Sequence, residues 1–155
     1  MRILILGGEG MIGHKAYQVL SKYFDAYVTF RNFNQHLKRT NIFDEKKILD
    51  KIDANEIESV KKAISRIKPD FVFNCIGIIK QLKEPKNLKT TIYINSIFPH
   101  FLAEHCTITG SKLIHISTDG VFDGKKGGYT EKDKVNISDI YGMTKFLGEV
   151  SYPTA

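Results

Sequence analysis

Cysteine, histidine and tryptophan are scarce in this sequence, and the few that occur form no ligand pattern. The 155 residues include two cysteines, five histidines and no tryptophan. Cys75 and Cys106 lie far apart in the chain and neither belongs to a C-x-x-C pair, so neither a zinc site nor a disulfide framework is expected. We therefore predict a reduced, cytoplasmic protein that binds no metal.

Long hydrophobic segments and blocks of like charge are also absent. The apolar run "ILIL" near the start is too short to span a bilayer, and no basic-then-apolar signal segment precedes it. The net charge of +6 comes from 23 basic and 17 acidic side chains spread along the chain. This excess suits a polyphosphate ligand and also nucleic acid, but solvated surface lysines are the simpler interpretation. We expect neither a membrane nor a nucleic-acid partner.

The chain does contain a regular alternation of strand-like and helix-like segments. Short apolar or β-branched runs predict strands at 2–6, 26–30, 71–77 and 112–118. Helical periodicity separates them, including a long segment at 88–106 that Pro99 should bend or break. Residues 31–51 are too polar to assign. The alternation predicts one α/β domain over 1–155, with a doubly wound parallel sheet of the Rossmann type and strand order 3-2-1-4-5.

A glycine-rich turn, "LGGEGMIGHK", joins the first strand to the first helix. Two patterns overlap in it: Gly8, Gly10 and Gly13 fit G-x-G-x-x-G, whereas Gly7 with the last two fits G-x-x-G-x-x-G. Either pattern allows a tight turn that brings a pyrophosphate close to the backbone and to the helix N-terminus. The strand before it and the helix after it favour a dinucleotide site. The G-K-[ST] of a P-loop is missing.

The end of the second strand usually selects the dinucleotide, because an acid there binds the ribose hydroxyls of NAD and a basic residue accommodates the extra phosphate of NADP. Here the strand leads into Arg31 without an acid. This favours NADP(H), with NAD(H) also possible, although Arg31 is equally compatible with a solvent-facing loop. Asp53 is in a position to touch the adenine, but as the expected cap of the next helix it already has a structural role.

Three side chains with proton-transfer chemistry follow the last predicted strand. Thr118 ends that strand, and Tyr141 and Lys145 are four residues apart on the last helix, so they lie on one face. Because ligands of doubly wound sheets bind beyond the carboxyl ends of the strands, all three should face the edge that carries the glycine turn. An ammonium stabilises a nearby phenolate, and a hydroxyl can hold a developing oxyanion. A Tyr/Lys pair alone is usually an ordinary surface pair.

Taken together, these segments resemble the extended short-chain dehydrogenase/reductases. "GGEGMIG", "FNCIG", "YINSIFPHFLAE", "HISTDGVFDG", "YTEKD" and "YGMTKFLGE" occur in that family's order and spacing. "STDGVFDG" and "YGMTKFLGE" are most similar to the dTDP-4-dehydrorhamnose reductase branch, which acts on sugar nucleotides in polysaccharide biosynthesis. The resemblance implies a cytoplasmic NADP(H)-dependent reductase of a nucleotide-linked 6-deoxy-4-keto sugar.

The resemblance also implies particular cofactor contacts. Gly7, Gly10 and Gly13 would form the pyrophosphate turn, with backbone N–H groups from Met11 and Ile12. The second half of the predicted 71–77 strand would line the ribose on the nicotinamide side, through Asn74, Cys75, Ile76 and Gly77. In this position Cys75 would be a structural thiol and not a nucleophile.

For catalysis, the resemblance implies that Thr118, Tyr141 and Lys145 are the Ser/Thr–Tyr–Lys triad, with Lys145 also binding the nicotinamide ribose. Asn95 matches a recurrent helix asparagine, for which a packing role is at least as plausible. Gly120 stands where the branch commonly has a larger residue.

The family normally continues with a further strand and a substrate-binding lobe, which this sequence does not contain. We therefore expect the cofactor-binding half of such an enzyme, with an uncovered edge strand that invites pairing in a homodimer. Two alternatives stay open: an epimerase or dehydratase of nucleotide sugars with retained NAD, and a non-catalytic dinucleotide-binding regulatory subunit.

Overall fold

The first strand lies at the centre of a five-stranded parallel sheet. The computed structural model describes residues 1–79 and 87–151, and its strand order is β3-β2-β1-β4-β5. This confirms the predicted doubly wound topology. The strands are β1 (Arg2–Leu6), β2 (Asp25–Thr29), β3 (Ile48–Leu49), β4 (Phe71–Asn74) and β5 (Lys112–His115).

Helices connect the strands, as parallel pairing requires. They are α1 (Met11–Leu20), α2 (Gln35–Arg39), α3 (Ile57–Ile67), α4 (Leu88–Ile92), α5 (Phe98–Thr109) and α6 (Ile140–Leu147). Short 3-10 turns occupy Glu45–Lys47 and Asp119–Val121. No helix in the described ranges combines the length and apolar character that a bilayer span requires.

The central strand is buried on both of its faces. Leu4 and Leu6 belong to a core shared with α3 and α5, whereas Ile3 and Ile5 belong to a second core that includes Tyr17 of α1. This explains why β1 reads as an uninterrupted apolar run and not as an alternating one. Its carboxyl end therefore leads directly into the glycine turn at the edge where ligands of such sheets bind.

Two local predictions change in the structure. The 31–51 stretch contains the edge strand β3, whose two residues pair with Val28 and Thr29. So short a strand gives no periodic signal. The predicted helix cap at Asp53 was wrong: α3 begins after Glu56, which makes no side-chain capping bond. The Asp53 carboxylate instead accepts bonds from the backbone and side-chain amides of Asn55 at 2.9 and 3.0 Å.

The long helical segment is continuous but irregular in its middle. A five-residue π-helical turn, Tyr93–Ile97, joins α4 to α5, and Pro99 lies in the first turn of α5. Proline has no backbone N–H and cannot continue a regular α-helical ladder, so the predicted irregularity at Pro99 takes the form of a π-helical turn and not of a break. The π turn carries Asn95 inward, where its side chain is fully buried.

Candidate dinucleotide site

A cavity of about 280 Å³ opens at the carboxyl edge of the sheet. Its wall combines the glycine turn, the end of β2, the loop before α3, the loop after β4, and α4. The lining residues are Gly7, Glu9, Gly10, Thr29, Arg31, Ile52, Asp53, Ala54, Asn55, Cys75, Ile76, Gly77, Ile78, Thr90 and Ile94. The topology therefore brings most of the predicted cofactor residues into one depression.

The glycine turn has the geometry of the pattern that begins at Gly7. This residue has a φ of +86°, which favours glycine, and its N–H donates to the Thr29 hydroxyl at 3.2 Å. A Cβ on Gly13 would stand 2.2 Å from the Gly7 carbonyl oxygen, so α1 packs directly on the turn. A Cβ on Gly10 would meet nothing closer than 3.5 Å. Gly10 is thus the position where the fold leaves room for a ligand to approach the backbone.

The first helix begins at this turn without a side-chain cap. Gly10 occupies the N-cap position, no acidic residue lies in the first turn, and the Met11 side chain is exposed. A helix start without a capping side chain keeps its N–H groups and its positive dipole end available to an anion. Met11 and Ile12 are the first two helical residues, as the predicted contact to a pyrophosphate requires. That contact stays a prediction.

The loop after β4 forms another wall of the cavity, with one exception to the prediction. Cys75, Ile76 and Gly77 line it, whereas Asn74 lies fully buried beneath them. Asn74 accepts a bond from the Ile76 N–H at 3.1 Å and contacts His115 on β5. It supports the loop from below and is not a lining residue. Burial raises the pKa of the Cys75 thiol to about 12, so this cysteine is not an activated nucleophile.

At the rim of the cavity, the predicted selector Arg31 has an unexpected neighbour in Glu9 of the glycine turn. The Glu9 carboxylate accepts bonds from the Arg31 and Asn32 N–H groups, both at 2.9 Å. Its second oxygen is 3.9 Å from the Arg31 guanidinium. Asp53 also lines the cavity. The basic residue at the end of β2 is therefore accompanied by a carboxylate.

Thr118 and Tyr141 both lie near Gly120. A Cβ on Gly120 would be 3.3 Å from the Thr118 hydroxyl oxygen and 3.8 Å from the Tyr141 ring. A Cβ on Gly142 would stand 2.4 Å from the Gly120 carbonyl oxygen, so α6 packs closely against this loop. Thr118 lies beyond the end of β5, where its hydroxyl accepts the Gly120 N–H at 3.1 Å. Its own hydroxyl proton is not used by that bond.

Lys145 is only 5% exposed and its bonds run towards β5, not towards Tyr141. Its Nζ donates to the Ile116 carbonyl at 2.5 Å and lies 3.4 Å from His115 Nε2. Burial lowers the pKa of Lys145, an effect that the nearby charge of Glu149 opposes. Thr118 and Tyr141 thus lie near the same glycine, and Lys145 lies one turn after Tyr141 on α6. None of the three is among the residues that line the cavity.

His115 is a half-buried neighbour of Lys145 that the sequence analysis did not single out. Because Asn74 Oδ1 accepts the Ile76 N–H, its Nδ2 faces His115 Nδ1 at 3.0 Å and donates to it. Burial first, and then the charges of Lys145 and His100, lower the pKa of His115 to about 4. The only signal in the sequence was a polar residue between Ile114 and Ile116.

Asn95 fixes the position of α6 relative to the cavity loop. Its side chain accepts the Ile78 N–H at 2.8 Å and donates to the Ile78 carbonyl at 2.9 Å and to the Thr144 hydroxyl at 3.2 Å. Ile78 lines the cavity, and Thr144 lies next to Lys145 on α6. The packing role considered for Asn95 is therefore present in the structure. Among the residues that the structure describes, no His/Cys/Asp/Glu group is arranged to hold a metal ion.

The sheet order and the residues at its carboxyl edge define an extended short-chain dehydrogenase/reductase fold. Residues 1–153 match the family model described as "RmlD substrate binding domain", and the chain belongs to that family.

Similarity to individual proteins agrees with this assignment. The chain is 34% identical over 85 residues to dTDP-4-dehydrorhamnose reductase of Mycobacterium tuberculosis, a match that covers 52% of this chain and 28% of that protein. It is 27% identical over 150 residues to methionine adenosyltransferase 2 subunit beta of Mus musculus, a match that covers 96% of this chain and 41% of that protein. The crystal structure of dTDP-4-dehydrorhamnose reductase from Bacillus anthracis in complex with NADP superposes on this chain with a TM-score of 0.74 and 28% sequence identity. The match covers 95% of this chain and 47% of that one. The chain thus spans less than half the length of these three proteins.

Proposed function

We propose that this chain is the dinucleotide-binding half of a reductase that uses NAD(P)H on a nucleotide-linked 6-deoxy-4-keto sugar. The observation that carries the proposal is that an uncapped helix start, at Gly10, follows the carboxyl end of β1, while Thr118 and Tyr141 lie near Gly120 beyond the carboxyl end of β5 in the same parallel sheet. The first feature suits a pyrophosphate, and the second suits a carbonyl undergoing reduction. The NADP named for the Bacillus anthracis reductase supports a nicotinamide dinucleotide here.

The residues present fit such a cofactor. Gly10 leaves space beside the turn, and Cys75, Ile76 and Gly77 form an uncharged wall between the turn and α4. The first helical residues, Met11 and Ile12, would hold the phosphates through their N–H groups. When bound, the nicotinamide ring supplies the hydride.

Proton delivery is the part of the reaction that the chain's own side chains perform. The Tyr141 hydroxyl would give its proton to the carbonyl oxygen as the carbon accepts the hydride, which yields the alcohol. The Thr118 hydroxyl would donate a hydrogen bond to the same oxygen, because its proton is not used in the bond from Gly120. The buried ammonium of Lys145 would stabilise the phenolate that is left, and would bind the nicotinamide ribose.

The direct test is titration of the protein with NADPH and with NADH, followed by calorimetry or by the fluorescence of the reduced nicotinamide. We expect saturable binding of at least one of them. If neither binds, the proposal fails. With a dTDP-4-keto-6-deoxy sugar as substrate, loss of reduced-nicotinamide absorbance would then identify the reaction.

A non-catalytic, dinucleotide-binding subunit is the second candidate. The observation that favours it is the match to methionine adenosyltransferase 2 subunit beta, which extends over 96% of this chain. Dinucleotide binding without carbonyl reduction, together with a stable protein partner, would support this candidate. An epimerase or dehydratase would instead retain its dinucleotide through purification and show no net oxidation.

A homodimer through the sheet edge stays a prediction. Within the described residues, β5 pairs only with β4, so its other edge is available for strand pairing. Sedimentation equilibrium would test it, and a concentration-independent monomer mass would exclude it.

A further inference from the structure

Glu9 makes the most unexpected contacts at the cavity rim. It is the one acidic residue within the glycine turn, and its side chain turns towards the loop that follows β2. There one oxygen, Oε1, accepts the N–H groups of both Arg31 and Asn32 at 2.9 Å. The carboxylate therefore occupies two adjacent backbone donors at the place where the adenosine ribose of a dinucleotide is normally read.

A second carboxylate completes this arrangement. The Phe33 N–H donates to Asp50 Oδ1 at 2.8 Å. Three consecutive backbone N–H groups, from Arg31 to Phe33, are thus bonded to carboxylates of the chain itself. Successive N–H groups of this kind can form an anion-binding concavity, but here they already have anionic partners.

The positive charge of the Arg31 guanidinium at this rim is also partly neutralised. The Arg31 guanidinium lies 3.9 Å from Glu9 Oε2, and the side chains are 67% and 34% exposed. Glu9, Arg31 and Asp53 all line the cavity. A 2′-phosphate at this rim would therefore meet an Arg31 guanidinium that is paired with the Glu9 carboxylate, whereas a ribose diol would find a hydrogen-bond acceptor in that carboxylate.

We propose that Glu9 selects the dinucleotide, so that this chain binds NAD(H) more tightly than NADP(H). The inference rests on the dinucleotide site of the proposed function and opposes the preference that Arg31 alone predicts. A carboxylate normally reaches the ribose hydroxyls from the end of the second strand. Here the glycine turn supplies the carboxylate from the neighbouring chain segment. The hydroxyls can donate to Glu9, but a 2′-phosphate placed there is repelled by it.

The first measurement is the ratio of the NADPH and NADH dissociation constants of the native chain, by isothermal calorimetry at low salt. We expect a ratio above one. The second is the same ratio for Glu9→Gln, in which the amide oxygen can still accept the two N–H bonds while the charge is gone. We expect NADPH affinity to rise about ten-fold, the size of one charge contact near a protein surface, and NADH affinity not to rise.

Glu58→Gln is the matched control, because Glu58 is an exposed acid on α3 that pairs with Lys61 away from the cavity. It should leave the ratio unchanged. NADPH binding more tightly than NADH in the native chain would overturn the inference, even if the Glu9 variant failed to fold. The inference would also be overturned if the ratio for Glu9→Gln stayed within about two-fold of the native ratio, because removal of a charge contact should change it about ten-fold. Failure of both dinucleotides to bind would instead reject the dinucleotide site itself, and the inference with it.

Discussion

The Lys145 ammonium donates to the backbone carbonyl of Ile116 at 2.5 Å and so ties α6 to the end of β5. Because Lys145 is buried, its position depends on the protein interior and not on solvent. Tyr141 lies one turn earlier on the same helix, so this bond also fixes the height of its ring beside Gly120. The proposed proton donor is thus held by a buried charge, by the Gly142 contact and by Asn95.

Alanine substitutions at Gly13 and Gly10, at the start of α1, should affect stability and dinucleotide binding respectively. Gly13→Ala would place a methyl group 2.2 Å from the Gly7 carbonyl oxygen, so we expect a stability loss of about 2–4 kcal/mol. Gly10→Ala meets no close atom in the chain, so its cost should stay within about 1 kcal/mol. Its methyl group would nevertheless stand where a pyrophosphate must approach. Urea unfolding with dinucleotide titration should show Gly10→Ala folded but binding at least about ten-fold more weakly.

If Gly10→Ala bound both dinucleotides as tightly as the native chain, the phosphates would not lie against this turn. That result would contradict the proposed site while leaving the fold assignment intact.

The half-buried imidazole of His115 should make the fold sensitive to mild acid. Its pKa in the folded chain is about 4, below the ordinary value of 6.5, so the unfolded chain binds the proton more readily. The stability that the folded chain gains by keeping this imidazole neutral is therefore fully present above about pH 6.5, and it is lost as the pH falls towards 4. The loss approaches about 2–3 kcal/mol, allowing for partial exposure. His115→Gln, which can still accept from Asn74, should lose less stability than the native chain between pH 7 and pH 4.5.

Urea midpoints followed by circular dichroism at the two pH values provide the measurement, and His36→Gln, an exposed histidine on α2, is the control. The ionised forms of Asp123 and Asp133, whose pKa values hydrogen bonds hold at about 2, lose their stabilising effect only below the ordinary value of 3.8, outside this window. Equal acid losses in the native chain and in His115→Gln would refute the assignment of this sensitivity to His115.

The periodic elements of this fold were predictable, and the irregular ones were not. β1 and the glycine turn gave strong local signals, because burial on both faces and a tight backbone turn each restrict the residue types allowed. The two-residue strand β3 gave none, since its position is set by pairing with β2 and not by its own sequence. Asp53 was misassigned for a related reason: an Asx turn and a helix cap use the same residue types.

Within the site, sequence reasoning identified seven of the fifteen residues that line the cavity, but not the contacts among them. Arg31 was visible at the end of β2, yet its pairing with Glu9 depends on two segments that meet only in the folded chain. Asn74 was expected beside the ligand and is instead buried against His115. Hydrogen bonds between distant segments leave no periodic pattern in the sequence, so they can be identified only in the folded structure.

Tyr141→Phe should separate binding from chemistry. The substitution removes only the hydroxyl, and the ring contact beside Gly120 stays. In a form of the protein that reduces its substrate, we expect turnover to fall at least about 100-fold, the usual contribution of a positioned acid. Dinucleotide affinity should change less than about two-fold, because the hydroxyl acts on the substrate. Turnover retained in this variant would remove Tyr141 from the proposed mechanism.

Loss of the Asn95 side chain should destabilise the fold more than loss of the Thr144 hydroxyl to which it donates. Asn95→Leu keeps the volume but leaves the Ile78 N–H and carbonyl without their partner, so we expect a loss of about 2–4 kcal/mol. Thr144→Val removes only the 3.2 Å bond at the other end and should cost about 1 kcal/mol. Both are measured by urea unfolding, and the double variant should lose less than the sum, because the two side chains share a bond. A strictly additive loss, or Thr144→Val costing as much as Asn95→Leu, would show that Asn95 does not hold the cavity loop and α6 together through these bonds.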